Sequence, residues 1–125
     1  MLKTYKDLDV WQKAYAFCLD TYQATKNFPA EEKYGLTSQL RRAVISIPSN
    51  IAEGYGRKSL PEYIQFLYIA YGSLCELETQ LLLSKDLGYL PDSEKEKLIA
   101  GIGTIERMLK ALIRSLENKR HGNNH

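Results

Sequence analysis

The sequence has few of the residues that build catalytic or metal centres. It contains two histidines and two cysteines among 125 residues, and both histidines lie in the final segment HGNNH. There is no Glu-x-x-His motif of the helical di-iron proteins, and no Ser/His or Cys/His pair falls on a predicted helix. The phosphate-binding patterns GxxxxGK[ST] and GxGxxG are also missing. We therefore expect no catalytic residue, no metal and no cofactor, and a protein that is not an enzyme.

A strong excess of charge and long apolar runs are missing too. Seventeen basic residues against fifteen acidic ones leave a net charge of +2, which is far from the basic balance of a dedicated nucleic-acid binder. The opening MLKTYKDLDV holds no apolar signal segment, and no stretch approaches the roughly 20 apolar residues that span a bilayer. We expect a cytoplasmic protein that does not enter a membrane, with Cys18 and Cys75 reduced and buried.

What the sequence does contain is helical periodicity, in four segments joined by short connections. The second segment runs from about Tyr34 to Gly54 or Gly56, and the third begins at the capping sequence 59–62, SLPE. The fourth repeats apolar residues in steps of three and four from Leu98 to Leu116. The first helix is predicted to bury a stripe made of Leu8, Trp11, Tyr15, Cys18, Tyr22 and Thr25.

Short connections make consecutive helices antiparallel neighbours. The sequence therefore predicts an all-α protein, an antiparallel up-down-up-down four-helix bundle. One domain is expected over residues 1–118, followed by a disordered tail over 119–125.

Two helices are apolar over a wider arc than a monomeric bundle buries. On the third helix, large apolar side chains cover roughly 200° at 100° per residue, and Ile69 lies outside even this arc. On the second helix, Ile45 points away from the apolar stripe. Such a face usually marks a partner surface, although scattered surface hydrophobic residues are the alternative. We predict that the chain assembles with itself as a homo-oligomer.

A polar set surrounds a proline in AVISIPSNIAEG, residues 43–54. Because proline removes a helical hydrogen bond, we expect Pro48 to bend the helix so that residues 49–54 turn toward a neighbouring protomer, with Ser46 taking up the freed backbone polarity. On the third helix, Glu78 is expected at a core-facing position, either paired with an arginine (41, 42 or 57) or facing a ligand pocket. The predicted structural polar seam comprises Ser46, Pro48, Ser49, Asn50, Glu53 and Glu78.

Two groups of basic residues are candidates for binding phosphates. Each group alone could equally be a solvated helix face, but an oligomer would repeat it several times. The candidates are Arg41, Arg42, Arg57 and Lys58 around the second helix, and Arg107, Lys110 and Arg114 on the fourth.

Three segments resemble one protein family. DLDVWQKAY (7–15), FPAEEKYGLTSQLRRAVISIPSNIAEG (28–54) and SLPEYIQFLYIAYGSLCELETQL (59–81) are similar to the bacterial four-helix bundle proteins first noted in intervening sequences of 23S rRNA genes. The resemblance implies a homopentamer of four-helix protomers around a central channel. A relative, the accessory variability determinant of diversity-generating retroelements, is a basic pentamer that binds nucleic acid and a reverse transcriptase.

This resemblance implies RNA or DNA as a partner. It also implies that Arg41 and Arg42, within the matching segment GLTSQLRR, are the residues that bind it. Two functions follow as hypotheses. The first is an oligomeric nucleic-acid-binding accessory protein, and the second is an oligomeric protein–protein interaction scaffold that does not bind nucleic acid.

Overall fold

Four α-helices make up the described part of the chain. The computed structural model describes residues 2–122, and every regular element within them is helical. Short 3-10 turns at Tyr5–Asp7 and Ala30–Glu32 precede the first and second helices. The helices are α1 (Asp9–Ala24), α2 (Leu36–Tyr55), α3 (Leu60–Asp86) and α4 (Asp92–Gly122). The predicted all-α class with four helices is confirmed.

The predicted boundary of the tail is wrong in part. Residues 119–122 continue α4 without a break, because nothing in the sequence NKRH stops a helix whose last turn carries the basic residues that its dipole favours. The remaining positions of the predicted tail, 123–125, lie outside the described residues. No described helix has the length and apolar character required to cross a membrane.

The start of α3 follows the predicted capping signal. Ser59 lies in extended backbone before the helix, and its hydroxyl accepts a hydrogen bond from the Glu62 amide at 3.3 Å. After the other end of α3, Gly88 adopts a φ of 84°, a left-handed conformation that favours glycine. The helix boundaries therefore come from local signals that the sequence carries.

The core lies among all four helices. Helices α1 and α3 each pack against both α2 and α4. Most of the largest fully buried side chains come from α2, α3 and α4, and Thr21 comes from α1. In α4 the predicted stripe is buried, apart from Leu112, which is half-buried beside the buried Ile113. The fully buried core residues include Leu40, Ile47, Ile51, Leu67, Leu74, Leu77, Leu81, Ile105 and Leu109.

The predicted stripe of α1 is correct only at its two ends, where Leu8 and Thr25 are buried. Tyr15 and Tyr22 are exposed, and Trp11 and Cys18 are only half-buried. The side chains that α1 buries form the adjacent stripe, and it contains Val10, Ala14, Phe17 and Thr21. The physical reason is Gly101 of α4: a Cβ there would lie 2.7 Å from Cε1 of Phe17, so glycine lets the Phe17 ring pack on the α4 backbone and rotates α1 accordingly.

The prediction for Glu78 is also wrong. Glu78 is exposed, and within residues 2–122 it forms no ion pair with Arg41, Arg42 or Arg57. The buried stripe of α3 runs through Leu74, Leu77 and Leu81. A helical stripe through Leu77 and one through Glu78 both fit the spacing of the apolar residues. The stripe through Leu77 is the one buried, because it leaves the carboxylate in solvent.

The cysteines are unpaired, as predicted, but not both are buried. Cys18 is half-buried and Cys75 is exposed on α3. The exposed outer face of α3 also carries Tyr68, Ile69, Leu82 and Leu83. The expectation that this helix presents apolar side chains to solvent in the single chain is confirmed.

Candidate nucleic-acid interface

Pro48 lies inside α2, and the helix continues through it. Because proline has no N–H, the carbonyl of Val44 loses its helical donor. The thiol of Cys18, from α1, donates to this carbonyl with a sulfur to oxygen distance of 3.0 Å. Burial raises the pKa of the Cys18 thiol to about 11, which keeps it protonated as a donor at neutral pH.

Two features predicted for Pro48 are therefore wrong. Cys18, not Ser46, takes up the freed backbone polarity. The segment after the proline packs within its own protomer, since Ile51 is fully buried and a Cβ at Gly54 would lie 2.8 Å from the Cβ of Phe66 on α3.

Two members of the predicted polar seam join α2 to α3. The hydroxyls of Ser46 and Ser73 lie 2.8 Å apart, and the Asn50 amide donates to the carbonyl of Ser46 at 2.8 Å and to its hydroxyl at 2.9 Å. The structure thus brings Ser46 and Asn50 together in a hydrogen-bonded bridge between helices. In this arrangement the half-buried polar groups of Ser46 and Asn50 satisfy one another.

The other members of the seam lie elsewhere. Ser49 is exposed on the side of α2 that faces α1. Glu53 pairs with Arg57 at 3.0 Å on the surface, and Glu78 is exposed on α3. The seam is therefore not a single feature of the molecule.

Arg41 connects α2 to α1 through its guanidinium. Its Nε donates to the hydroxyl of Thr25 at 3.1 Å, and its Nη2 donates to the carbonyl of Tyr22 at 3.4 Å. The guanidinium also lies 4.5 Å from the centre of the Tyr22 ring. Two of the five N–H donors are thus engaged, and the group is held in place with donors remaining.

Two surface depressions lie on the α1/α2 side of the protein and share Ile45 in their linings; together we call them the α1/α2 groove. Its cationic half has a volume of about 500 Å³. Arg42 is exposed there, with Nη2 donating to Gln39 at 3.2 Å, and the Lys33 ammonium lies 5.5 Å from the centre of the Tyr34 ring. The cationic half is lined by Tyr22, Lys33, Tyr34, Ser38, Arg41 and Arg42.

The aromatic half of the groove lies on the other side of Ile45, which lines both halves. Its volume is about 350 Å³. The Trp11 and Tyr15 rings lie 5.1 Å apart, and the Tyr5 ring meets Trp11 edge-on at 5.2 Å. This half is lined by Tyr5, Trp11, Tyr15, Pro48, Ser49 and Ala52, together with Cys18.

The lining of the α1/α2 groove contains no aspartate or glutamate. Within the described chain, Lys33, Arg41 and Arg42 form no ion pair. The neighbouring Glu32 directs its carboxylate elsewhere: it accepts from the Leu36 amide at 3.0 Å and from the Tyr89 hydroxyl at 2.9 Å. These two bonds, the Leu36 amide first, lower the pKa of Glu32. The lining of the groove therefore offers three cations and no carboxylate.

The remaining basic candidates do not form a comparable cluster of cations free of carboxylates. Arg57 is paired with Glu53 and lies 4.7 Å from the Phe66 ring centre, whereas Lys58 is exposed. On α4, Lys110 pairs with Glu106 at 3.5 Å, and the charge of Glu106 is the main reason that the pKa of Lys110 is raised.

The other two α4 candidates also have neighbours that limit them. Arg107 donates to the Thr104 hydroxyl at 3.3 Å, and Arg114 lines a surface groove that also contains Glu117. Since carboxylates are interleaved with the cations, this face of α4 attracts phosphate less than the α1/α2 groove does.

Sequence reasoning identifies only a small part of the groove. Arg41 and Arg42 are candidates from the sequence, but the predicted stripe places Tyr15 and Tyr22 in the core, and nothing in the pattern singles out Lys33 or Tyr34. The available signal is the second stripe on α1, Val10, Ala14, Phe17 and Thr21, which also follows steps of three and four. Within residues 2–122 no group of three or more metal-ligating side chains comes together.

Comparison with known proteins places the chain in a family. Residues 6–111 match the 23S rRNA-intervening sequence protein family. A solved structure from Bacteroides thetaiotaomicron, described as a protein with unknown function from the S23 ribosomal protein family, aligns with a TM-score of 0.75 and 24% identity. The alignment covers 83% of this chain and 97% of that one; at this identity the likeness concerns the fold alone.

No curated protein gives a significant match to this chain. The family match extends over most of the sequence and agrees with the four-helix fold. The chain therefore belongs to the family of 23S rRNA-intervening sequence proteins.

Proposed function

We propose that this chain is a non-enzymatic nucleic-acid-binding protein that acts as a homo-oligomer and binds phosphates through the cationic half of the α1/α2 groove. The observation that carries the proposal is the clustering of Lys33, Arg41 and Arg42 in a groove whose lining includes no carboxylate. Arginine suits this role because its guanidinium presents a planar set of donors that matches phosphate oxygens.

A net charge of +2 gives the protein little overall attraction for nucleic acid, so phosphate binding depends on the cations within the groove. Exposed charges are screened beyond about 8 Å at physiological salt, so the carboxylates elsewhere on the surface oppose phosphate binding only weakly. Affinity would come from several grooves acting on one nucleic acid, because linked weak sites gain avidity without any new interaction at each site.

The assembly that repeats the groove is an oligomer, expected to be a pentamer from the family resemblance. The outer face of α3 supports self-association, since Tyr68, Ile69, Leu82 and Leu83 are exposed in the single chain. Leaving so many large apolar side chains in water is unfavourable, and burying them between copies would remove that penalty.

Within each protomer the helices run up-down-up-down. The pairing of α1 with α2 supports this topology, because Cys18 meets Val44 whereas the later Thr25 meets the earlier Arg41. The same order holds between α2 and α3: Ser46 meets Ser73, and the later Gly54 meets the earlier Phe66. Successive helices that meet in this order are antiparallel.

The test is a binding titration followed by fluorescence anisotropy over a series of salt concentrations. The probes are a labelled RNA hairpin with a single-stranded tail and a labelled duplex DNA. We expect log K to fall linearly with log salt. A Lys33→Gln/Arg42→Gln double variant should reduce the slope by about 2 for each groove that binds the probe, since each removed cation neutralises one phosphate.

The matched control is Lys119→Gln/Arg120→Gln, which removes the same charge from the exposed end of α4 and should leave the slope unchanged. A variant in which Arg107 and Arg114 become glutamine tests the α4 cluster in the same way. Absence of binding to either probe at about 50 mM salt would overturn the proposal.

The apolar face of α3 also supports the second candidate, a protein–protein interaction scaffold. In that case the face would bind a partner protein, and neither RNA nor DNA would bind. Failure of the titration together with an intact oligomer would favour this alternative.

A further inference from the structure

We infer that the α1/α2 groove binds single-stranded nucleic acid, with bases stacked on its tyrosines while phosphates lie against its cations. This inference rests on the proposed function and adds the class of nucleic acid to it. The inference is argued from the aromatic rings of the groove, whereas the proposed function is argued from its cations. The lining that contains Lys33, Arg41 and Arg42 also contains tyrosine rings that are exposed to solvent.

Tyr34 is the strongest of these rings. Its side chain is 88% exposed, and it is positioned between the 3-10 turn and α2 with the Lys33 ammonium 5.5 Å from the ring centre. Nothing in the protomer's packing explains an aromatic side chain at this place. A ring that stands free beside a cation has the chemistry required to stack on an unpaired base while the cation meets the adjoining phosphate.

Tyr22 offers a second platform further along the groove. It is 36% exposed, and Arg41 is held against it at 4.5 Å with a hydrogen bond to Thr25 that fixes the guanidinium. Because the guanidinium is held in place beside the ring, less conformational entropy is lost when a base packs against this pair.

The aromatic half of the groove favours bases over phosphates. The residues that line it carry no charge, and Trp11 and Tyr15 lie 5.1 Å apart with an angle of 31° between their rings. Along α2 the groove extends from Ser38 to Ala52, which is about 21 Å at 1.5 Å per residue. This length matches about six nucleotides at the 3.4 Å spacing of a stacked strand.

A duplex could use only part of this groove. Its bases are already stacked in pairs and cannot reach the tyrosines, so it would gain only the phosphate interactions of Lys33, Arg41 and Arg42. A single strand gains both phosphate binding and base stacking. The groove therefore discriminates between them by base stacking and not by charge.

The experiment compares three labelled probes of equal length on the full chain: twelve-nucleotide oligothymidine, an abasic deoxyribose-phosphate strand, and a twelve-base-pair duplex. We expect oligothymidine to bind at least about 5-fold more tightly than the abasic strand and the duplex. Tyr34→Leu should weaken oligothymidine binding by about 5- to 150-fold, the range seen when the stacking of one base is removed.

Tyr34→Phe is the matched control, because it retains the ring and removes the hydroxyl, and its binding should stay close to that of the unmodified chain. The salt slope of Tyr34→Leu should equal that of the unmodified chain, since every cation that faces a phosphate is retained. The exposure of Tyr34 means that neither substitution disturbs the core, which circular dichroism melting would verify.

Two failures are distinguishable. If all three probes fail to bind, the proposed function is wrong and this inference falls with it. If the abasic strand and the duplex bind as tightly as oligothymidine and Tyr34→Leu has no effect, phosphate binding stands and the inference of single-strand stacking is overturned.

Discussion

Position 48 holds a proline within α2 because a side chain from another helix supplies the hydrogen bond that the proline cannot donate. The Cys18 thiol reaches the Val44 carbonyl at 3.0 Å. A carbonyl left unpaired in this partly buried position would lower stability by about 1–3 kcal/mol. Pro48 therefore depends on Cys18, since without the thiol the Val44 carbonyl would have no donor.

This coupling predicts a non-additive pair of substitutions. Cys18→Ala should lower the free energy of unfolding by about 1–2 kcal/mol, because Val44 loses its donor. In a Pro48→Ala background the loss should be smaller by at least about 0.5 kcal/mol, since the new amide at position 48 can donate to Val44. Urea denaturation of the four proteins measures this, and strictly additive effects would contradict the assignment.

The same thiol predicts how stability depends on alkaline pH. Burial raises the pKa of Cys18 from 9.0 to about 11, so the folded state favours the protonated thiol. Its stabilising contribution is complete below about pH 9 and is lost as the pH rises toward 11.

The half-buried Tyr63, whose pKa is raised to about 12 by burial and then by Tyr55, extends this loss to higher pH. We expect the melting temperature to fall from about pH 9 upward, and less steeply between about pH 9 and 11 in Cys18→Ala. An equal fall in both proteins would show that the thiol does not contribute.

At the scale of the helices, two glycines determine how closely they approach. A Cβ at Gly101 would lie 2.7 Å from an edge carbon of the Phe17 ring, and a Cβ at Gly54 would lie 2.8 Å from the Cβ of Phe66 and 3.2 Å from the Tyr63 carbonyl. A ring can rotate to make room, whereas a Cβ and a backbone carbonyl cannot move without the helix. The packing of α2 on α3 is thus the less tolerant of the two.

We accordingly expect Gly54→Ala to destabilise the protein by about 1–3 kcal/mol, and Gly101→Ala by less. The control is Gly103→Ala, where the nearest atom outside the glycine's own backbone is 3.5 Å away; it should stabilise α4 by up to about 1 kcal/mol through helix propensity. Thermal melts rank the three variants. A larger loss at 101 than at 54 would contradict this account of the packing.

At the scale of the whole molecule, α3 buries one apolar face and leaves large apolar side chains exposed on its outer side. The inner face forms the core with α2 and α4, and the outer face presents Tyr68, Ile69, Leu82 and Leu83. If the outer face joins copies of the chain, the cationic groove on the α1/α2 side remains free in each copy. Assembly and nucleic-acid binding would then use separate surfaces.

The proposed assembly predicts that charge on the outer face of α3 dissociates it. Ile69→Glu/Leu83→Glu should reduce the mass measured by light scattering to that of one chain, because an unpaired carboxylate in an apolar interface is costly. Circular dichroism should remain helical, since both positions are exposed in the protomer. The control is Leu19→Glu on α1, which is 59% exposed; loss of assembly in the control alone would move the interface to α1.

The fold was largely predictable because its signals are local. Caps such as Ser59 and the apolar steps of α2 and α4 depend on residues within one or two turns of each other. The errors occurred where two helical stripes compete on one helix. In α1 the buried Ala14 and Thr21 are small beside Trp11 and Tyr15, and the outcome depended on Gly101, which is distant in the sequence.

The candidate site was predictable only as a pair of arginines. Arg41 and Arg42 stand out in the sequence, but the groove exists because Tyr22 and Arg41 come together from different helices. No spacing rule relates two such residues. Tyr34 was equally hidden, since its importance lies in remaining exposed where a tyrosine is expected to pack.

The chain contains a single tryptophan, and the fold places it in the aromatic half of the α1/α2 groove. The indole of Trp11 is half-buried between Tyr5 and Tyr15, so its intrinsic emission reports the polarity of that one place. A ligand that enters the groove should shift or quench this emission, whereas a ligand that remains on α4 should not. The protein thus carries its own optical reporter, positioned where an unlabelled strand would have to pass.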